Sequence, residues 1–171
     1  MTDNKHPLVL ALFDSSGQAI SAARALRASG VPHARVSIVA RSHDEEGIIA
    51  AASGASPGSE LEDSAAASRI GELSAHFLSA MALVMPGIGP IVADGPLAAG
   101  LAEAAGHVAG GIARTLERAG LERAEADAWQ ERITSGAVLV GAHVDAVTAG
   151  VTRQVLMDQR PERLRQVDWT D

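Results

Sequence analysis

Cysteine is missing from all 171 residues. Disulfide frameworks, thiolate zinc centres, iron–sulfur ligation and cysteine nucleophiles are thereby excluded. The aromatic side chains come down to Phe13, Phe77, Trp129 and Trp169, so a protein that stacks single-stranded bases has no platform here. Lysine occurs once, at Lys5, and the net charge is −7. A nucleic-acid binder normally presents a basic face, so nucleic acid is not an expected partner. The opening MTDNKHPLVLALF lacks the charged leader, long apolar core and cleavage site of a secretory signal. The expectation is a cytoplasmic chain of one domain, long enough to bury a core without metal or crosslink.

What is present is strand and helix in alternation. Residues 8–13, LVLALF, form a continuous apolar run of the length of a strand buried on both faces. Asp14 and Ser15 can cap a helix over 16–29, with Ala19, Ala22, Ala23 and Leu26 inward and Gly30 as its stop. A second strand spans 35–40, where Val36 and Ile38 share a face by the period of two. Near the other end, 137–144 reads as a buried strand. Asp145 can cap a helix to about 159, along which Val147, Val151 and Val155 recur at four, and 164–169 reads as a last strand. With 42–136 set aside, the core segments 7–41 and 137–170 each read strand–helix–strand. That is the order of an α+β, ferredoxin-like sandwich, and 42–136 becomes an insertion between its second and third strands.

The insertion begins with a Ser/Gly/Ala-rich connection over 42–68. A mostly helical, Gly/Ala-rich hairpin is expected over 69–119. Ile70, Leu73, Phe77 and Met81 fall on one helical face as far as residue 84. Pro86, Gly87, Gly89 and Pro90 then force a turn, and a second helix starts at Pro96, a favoured first-turn position, and runs towards 118. Ala99, Ala102, Gly106, Gly110 and Ala113 form a stripe of small residues along it, which lets another helix approach closely. A charged helix follows over 121–135, with Trp129 as its largest anchor, and Gly136 closes it. Residues 73–93 carry no charge and reach the length of a membrane span. The Pro-Gly break within them, and Glu103 and His107 just beyond, oppose insertion. Membrane contact is therefore not favoured over a buried hairpin.

Three segments resemble a family of bacterial general-stress and low-temperature-induced proteins. They are VLALFDSSGQAISAARALRASGV, MPGIGPIVADGPLAAGLAEAAG and AGLERAEADAWQERITSGAVLVGAHVD. The resemblance covers most of the chain except 42–68. It implies a ferredoxin-like fold with a glycine-rich insertion and a stress-response setting, and it supplies no catalytic residue.

Chemistry has few footholds. The Gly87-Ile88-Gly89 turn lacks the third glycine of a dinucleotide fingerprint, and Pro90 removes an amide that would donate to phosphate. His143 and Asp145 lie two apart and would share a face if the strand continues that far. His76 and His107 would meet if the two hairpin helices pair. No third ligand accompanies either pair, so neither a metal nor a cofactor is expected. The acidic runs read as solvated faces, and there is no Gly-x-Ser-x-Gly elbow. The expected function is that of a non-enzymatic, stress-associated protein that forms a homo-oligomer through the small-residue stripe. The alternatives are a dimer that senses a ligand or metal, and a membrane-surface protein.

Overall fold

The apolar run at 8–13 forms the inner part of β1 (Lys5–Phe13), and none of its six residues exposes any surface. Side chains alternate across a strand, so Leu8, Leu10 and Leu12 enter one core while Val9, Ala11 and Phe13 enter another. The computed structural model describes residues 5–41, 81–85, 89–105 and 111–170. Its other strands are β2 (Val36–Arg41), β3 (Met81–Met85), β4 (Gly89–Asp94), β5 (Val138–His143) and β6 (Arg163–Thr170). They form one sheet in the order β3-β4-β2-β5-β1-β6, with every neighbouring pair antiparallel. Around it lie α1 (Ser16–Ala28), α2 (Pro96–Ala105), α3 (Ile112–Ala119), α4 (Arg123–Thr134) and α5 (Ala149–Asp158). The chain is an α+β protein.

One face of the sheet is covered by α1 and α5. Ser15 caps α1 by accepting the Gln18 N–H at 3.3 Å. Ala19, Ala22, Ala23 and Leu26 point inward as their spacing predicts, and Gly30 ends the helix in the left-handed region at φ +98°. Val36 and Ile38 pack on this face too. The valine repeat in the last helix misleads: Val147 and Val151 are exposed, while Ala149, Thr152 and Leu156 are buried. Those three also follow helical spacing, and they turn the larger Leu156 onto the sheet.

The opposite face is covered by α2, α3 and α4, all from the insertion. Leu97 and Leu101 of α2, Ile112 and Leu116 of α3, and Trp129 and Ile133 of α4 close over Leu8, Leu10, Leu12 and Leu139. Gly141 leaves the space for this: a Cβ there would meet Leu97 and Leu10 at 3.3 Å each. The third helix has no side-chain cap of its own, and Gln130 of α4 supplies an acceptor to the Ala113 N–H at 2.9 Å. No helix among the described residues is long and apolar enough to cross a membrane.

Two expectations for the insertion need correction. Residues 81–85 are strand, not the end of a helix, and 89–94 pairs with both 81–85 and β2. The reason is the edge of β2, whose backbone groups need partners; a short apolar run satisfies that need as readily as it makes a helical face. Gly89 and Pro90 therefore open a strand, and Pro90 sits one step beyond the last pair with β2, a position that tolerates proline. Nor do 96–118 make one helix. Gly111 is extended (φ −141°, ψ −173°) immediately before α3, as a glycine run that disfavours helix allows. Residues 42–80, 86–88 and 106–110 lie outside the described residues, so the 42–68 connection and the expected face of Ile70, Leu73 and Phe77 lie there.

From the last turns of α4, Arg132 grips Glu162 with two bonds of 2.7 and 2.8 Å and reaches Asp14 at 3.1 Å. The Arg132 hydrogen bond, with its charge, holds the Glu162 carboxyl below the usual carboxylate range. A depressed carboxyl adds stability that is present above its unfolded value and is lost as pH falls through the folded one. The thermal midpoint should therefore fall more steeply between about pH 5 and pH 3 in wild type than in Glu162→Gln. Both groups are about one-third exposed, which limits the difference to a few degrees. Parallel melting curves in acid would show that the clamp carries no pH-dependent stability.

Candidate functional site

The leucine-lined face ends in a polar row. His6 on β1 lies opposite Trp169 on β6. His143 on β5 and Ser37 on β2 continue the row diagonally, since β1 pairs Leu8 with His143 and β2 pairs Ser37 with Gly141. His6, Ser37 and Trp169 lie two residues from Leu8, Val39 and Val167 on the same face, and His143 lies four from Leu139, so strand alternation fixes which way each points.

The contacts run in series. His6 Nε2 lies 3.0 Å from His143 Nδ1, and His143 Nε2 lies 3.4 Å from Ser37 Oγ. Ser37 Oγ accepts the Leu97 N–H at 3.1 Å, tying the first turn of α2 to the sheet. Trp169 stands edge-on to the His143 ring with centroids 5.4 Å apart. His143 and Ser37 are buried, and His6 is half-buried. The bond between the rings needs one donor and one acceptor. Either Ser37 donates to His143, which donates to His6, or His6 donates to His143, which donates to Ser37.

His6 and His143 of this row line an open cleft of about 500 Å³, whose walls include Lys5, Arg35, Pro96, Val144 and Asp145. Pro96 brings the N-terminal end of α2 to the rim, yet that turn has few donors left. Proline has no N–H, Leu97 gives its own to Ser37, and Ala98 donates to the Gly95 carbonyl at 3.0 Å. The helix end therefore offers the cleft few backbone donors of its own. Asp145 is exposed and turned to its own loop, where Oδ1 accepts the Thr148 N–H and hydroxyl, each at 2.8 Å. Those two bonds hold its carboxyl below the ordinary value, with Arg35 adding a smaller charge effect.

Of the expected candidates, His143 is at the centre of the row. Asp145 lies at the rim, not on a shared strand face, because β5 ends at His143. Nor is it the residue that caps α5, since Thr148 holds that position; Asp145 braces the turn before the helix, its side chain accepting the Thr148 N–H and its carbonyl the Ala149 N–H at 3.0 Å. His76 and His107 lie outside the described residues, as do Pro86, Gly87, Gly106 and Gly110. The rest of the small-residue stripe is divided. Ala99 is exposed, Ala102 half-buried and Ala113 buried. Close helix approach occurs one position along, at Gly100, where a Cβ would meet Thr115 at 3.3 Å.

His6, Ser37, Lys5 and Arg35 were not expected at a site. The available signal was parity. His6 shares the even positions of Leu8, Leu10 and Leu12, and Ser37 shares the odd positions of Val39. Among the described residues, no three His, Asp or Glu side chains gather to hold a metal ion. Comparison with known protein families, with curated proteins and with solved structures yields no match.

Proposed function

We propose that the chain is a non-enzymatic binding protein whose cleft beside His6 and His143 takes a small polar ligand. The observation that carries this is the convergence of two histidines, Lys5 and Arg35 on one open cleft of about 500 Å³, a size suited to a small molecule. Two features speak against catalysis. Ser37, the serine of the row, is fully buried and accepts an α2 amide, so it offers no exposed nucleophile. Asp145, the carboxylate among the described residues lining the cleft, is engaged by the Thr148 N–H and hydroxyl.

The order β2-β5-β1-β6, with α1 and α5 on one face, supports a ferredoxin-like core. The sequence resemblance to bacterial general-stress proteins would place such a sensor in a stress response. Ligand binding is favoured over assembly through the small-residue stripe because Ala113 and Gly100 serve packing within the subunit.

Thermal denaturation against a panel of small polar metabolites and divalent cations tests the proposal. At least one metabolite should raise the midpoint of the wild type and leave Ala146→Trp unmoved, since that change puts a large ring on an exposed rim residue of the cleft. No shift from any compound would remove the proposal, and a shift from cations alone would replace it with a metal site.

A further inference from the structure

We infer that the ligand is a small oxyanion and that it binds together with one proton, held between His6 and His143. This rests on the cleft being a binding site. The charges around it are Lys5 from β1, Arg35 beside β2, and Asp145 from the loop after β5. Of the other described elements at the row, β6 presents Trp169, and α2 presents Pro96 and Leu97. Asp145 opposes an anion, but its Oδ1 is committed to the Thr148 N–H and hydroxyl. Among the described residues lining the cleft, a lysine, an arginine and two imidazoles then face one carboxylate, in a chain whose net charge is −7. Local positive charge against that background selects anions.

The proton follows from the bridge. At 3.0 Å, Nε2 of His6 and Nδ1 of His143 share one hydrogen. A first added proton leaves the bridge intact, because one ring still offers a lone pair to the other. A second would put N–H against N–H and break it. A bound oxyanion beside the bridge favours its singly protonated, cationic form, so binding and protonation reinforce each other.

Sulfate is the probe, since its charge stays constant over the pH range in which imidazole titrates. Calorimetric titrations from about pH 8.5 to pH 5.5 should show affinity rising towards tenfold per unit as pH falls, then levelling. Heats compared between buffers of different ionisation enthalpy should give close to one proton taken up per sulfate at the steep part. The double variant His6→Gln, His143→Gln should bind sulfate with a flat pH profile, and Arg35→Ala should lose binding throughout. The proton count on wild type needs no variant, so it stands even if a substitution unfolds the protein. Sulfate binding without proton uptake would overturn the inference and leave the cleft a binding site. Binding of neutral or cationic metabolites with no response to sulfate would do the same. If neither sulfate nor any panel compound binds, the proposed function falls with it.

Discussion

Gly95→Ala should leave the protein largely unfolded at temperatures where the wild type is intact. Gly95 has φ +82°, and a Cβ added there would sit 2.7 Å from the Ser37 Cα and 2.8 Å from its Oγ, closer still to the Val36 carbonyl oxygen. Two of these three atoms are backbone, in a strand paired on both sides, so nothing flexible can yield. Left-handed strain costs about 1 kcal/mol, and overpacking adds roughly 1–3 kcal/mol. The sum is a large part of a total stability of about 5–15 kcal/mol, and each kcal/mol lowers the midpoint by roughly 2–4 °C at this chain length. Gly30 is the control: it has φ +98°, but a Cβ there would find nothing within 4 Å. Gly30→Ala should lose only the strain component. Equal losses in urea or thermal denaturation would show that backbone strain, not the close approach of α2 to β2, sets the requirement.

Trp129 should give a large loss on truncation and a small one on conservative replacement. It is the largest fully buried side chain, at 0 % exposure. Trp129→Ala removes most of the filling between α4 and the sheet and should cost about 3–5 kcal/mol. Its indole N–H, however, is buried with no acceptor among the described residues. An unpaired buried donor costs roughly 1–3 kcal/mol. Trp129→Phe discards that donor along with part of the ring, so the two effects oppose each other and the net change should stay within about 1.5 kcal/mol. Chemical denaturation of the three proteins decides it. A phenylalanine variant as unstable as the alanine one would mean that the indole shape alone holds the site.

Much of this architecture could be read in advance, and for identifiable reasons. The run at 8–13 is apolar throughout because its strand is buried on both faces. The stops at Gly30 and Gly136 are left-handed, at φ +98° and +111°, a conformation that favours glycine. Local signals of this kind need no knowledge of partners. The misread segments are those whose structure a distant partner decides. Residues 81–85 become strand through pairing with 89–94, which in turn covers β2. Val147 and Val151 lose their place to Leu156 because of what the sheet offers, not because of their own spacing. The candidate site was half visible for the same reason. His143 stood out as a histidine in a buried strand, but its partner His6 lies 137 positions away. Only the register of β1 against β5 brings them together.

The pairing of β1 with β5 and β6 also sets a timetable. Its neighbours across the sheet come from residues 138–143 and 163–170. At roughly 5–20 residues per second on the ribosome, Phe13 waits on the order of ten seconds for Val138, its partner in the ladder. Through that interval the strand that will be the most deeply buried is a naked apolar ribbon, and α1 can shield only one side of it. A nascent chain of this design is a natural client for chaperones that hold extended apolar segments, and its yield in the cell should depend on how fast the second half is made.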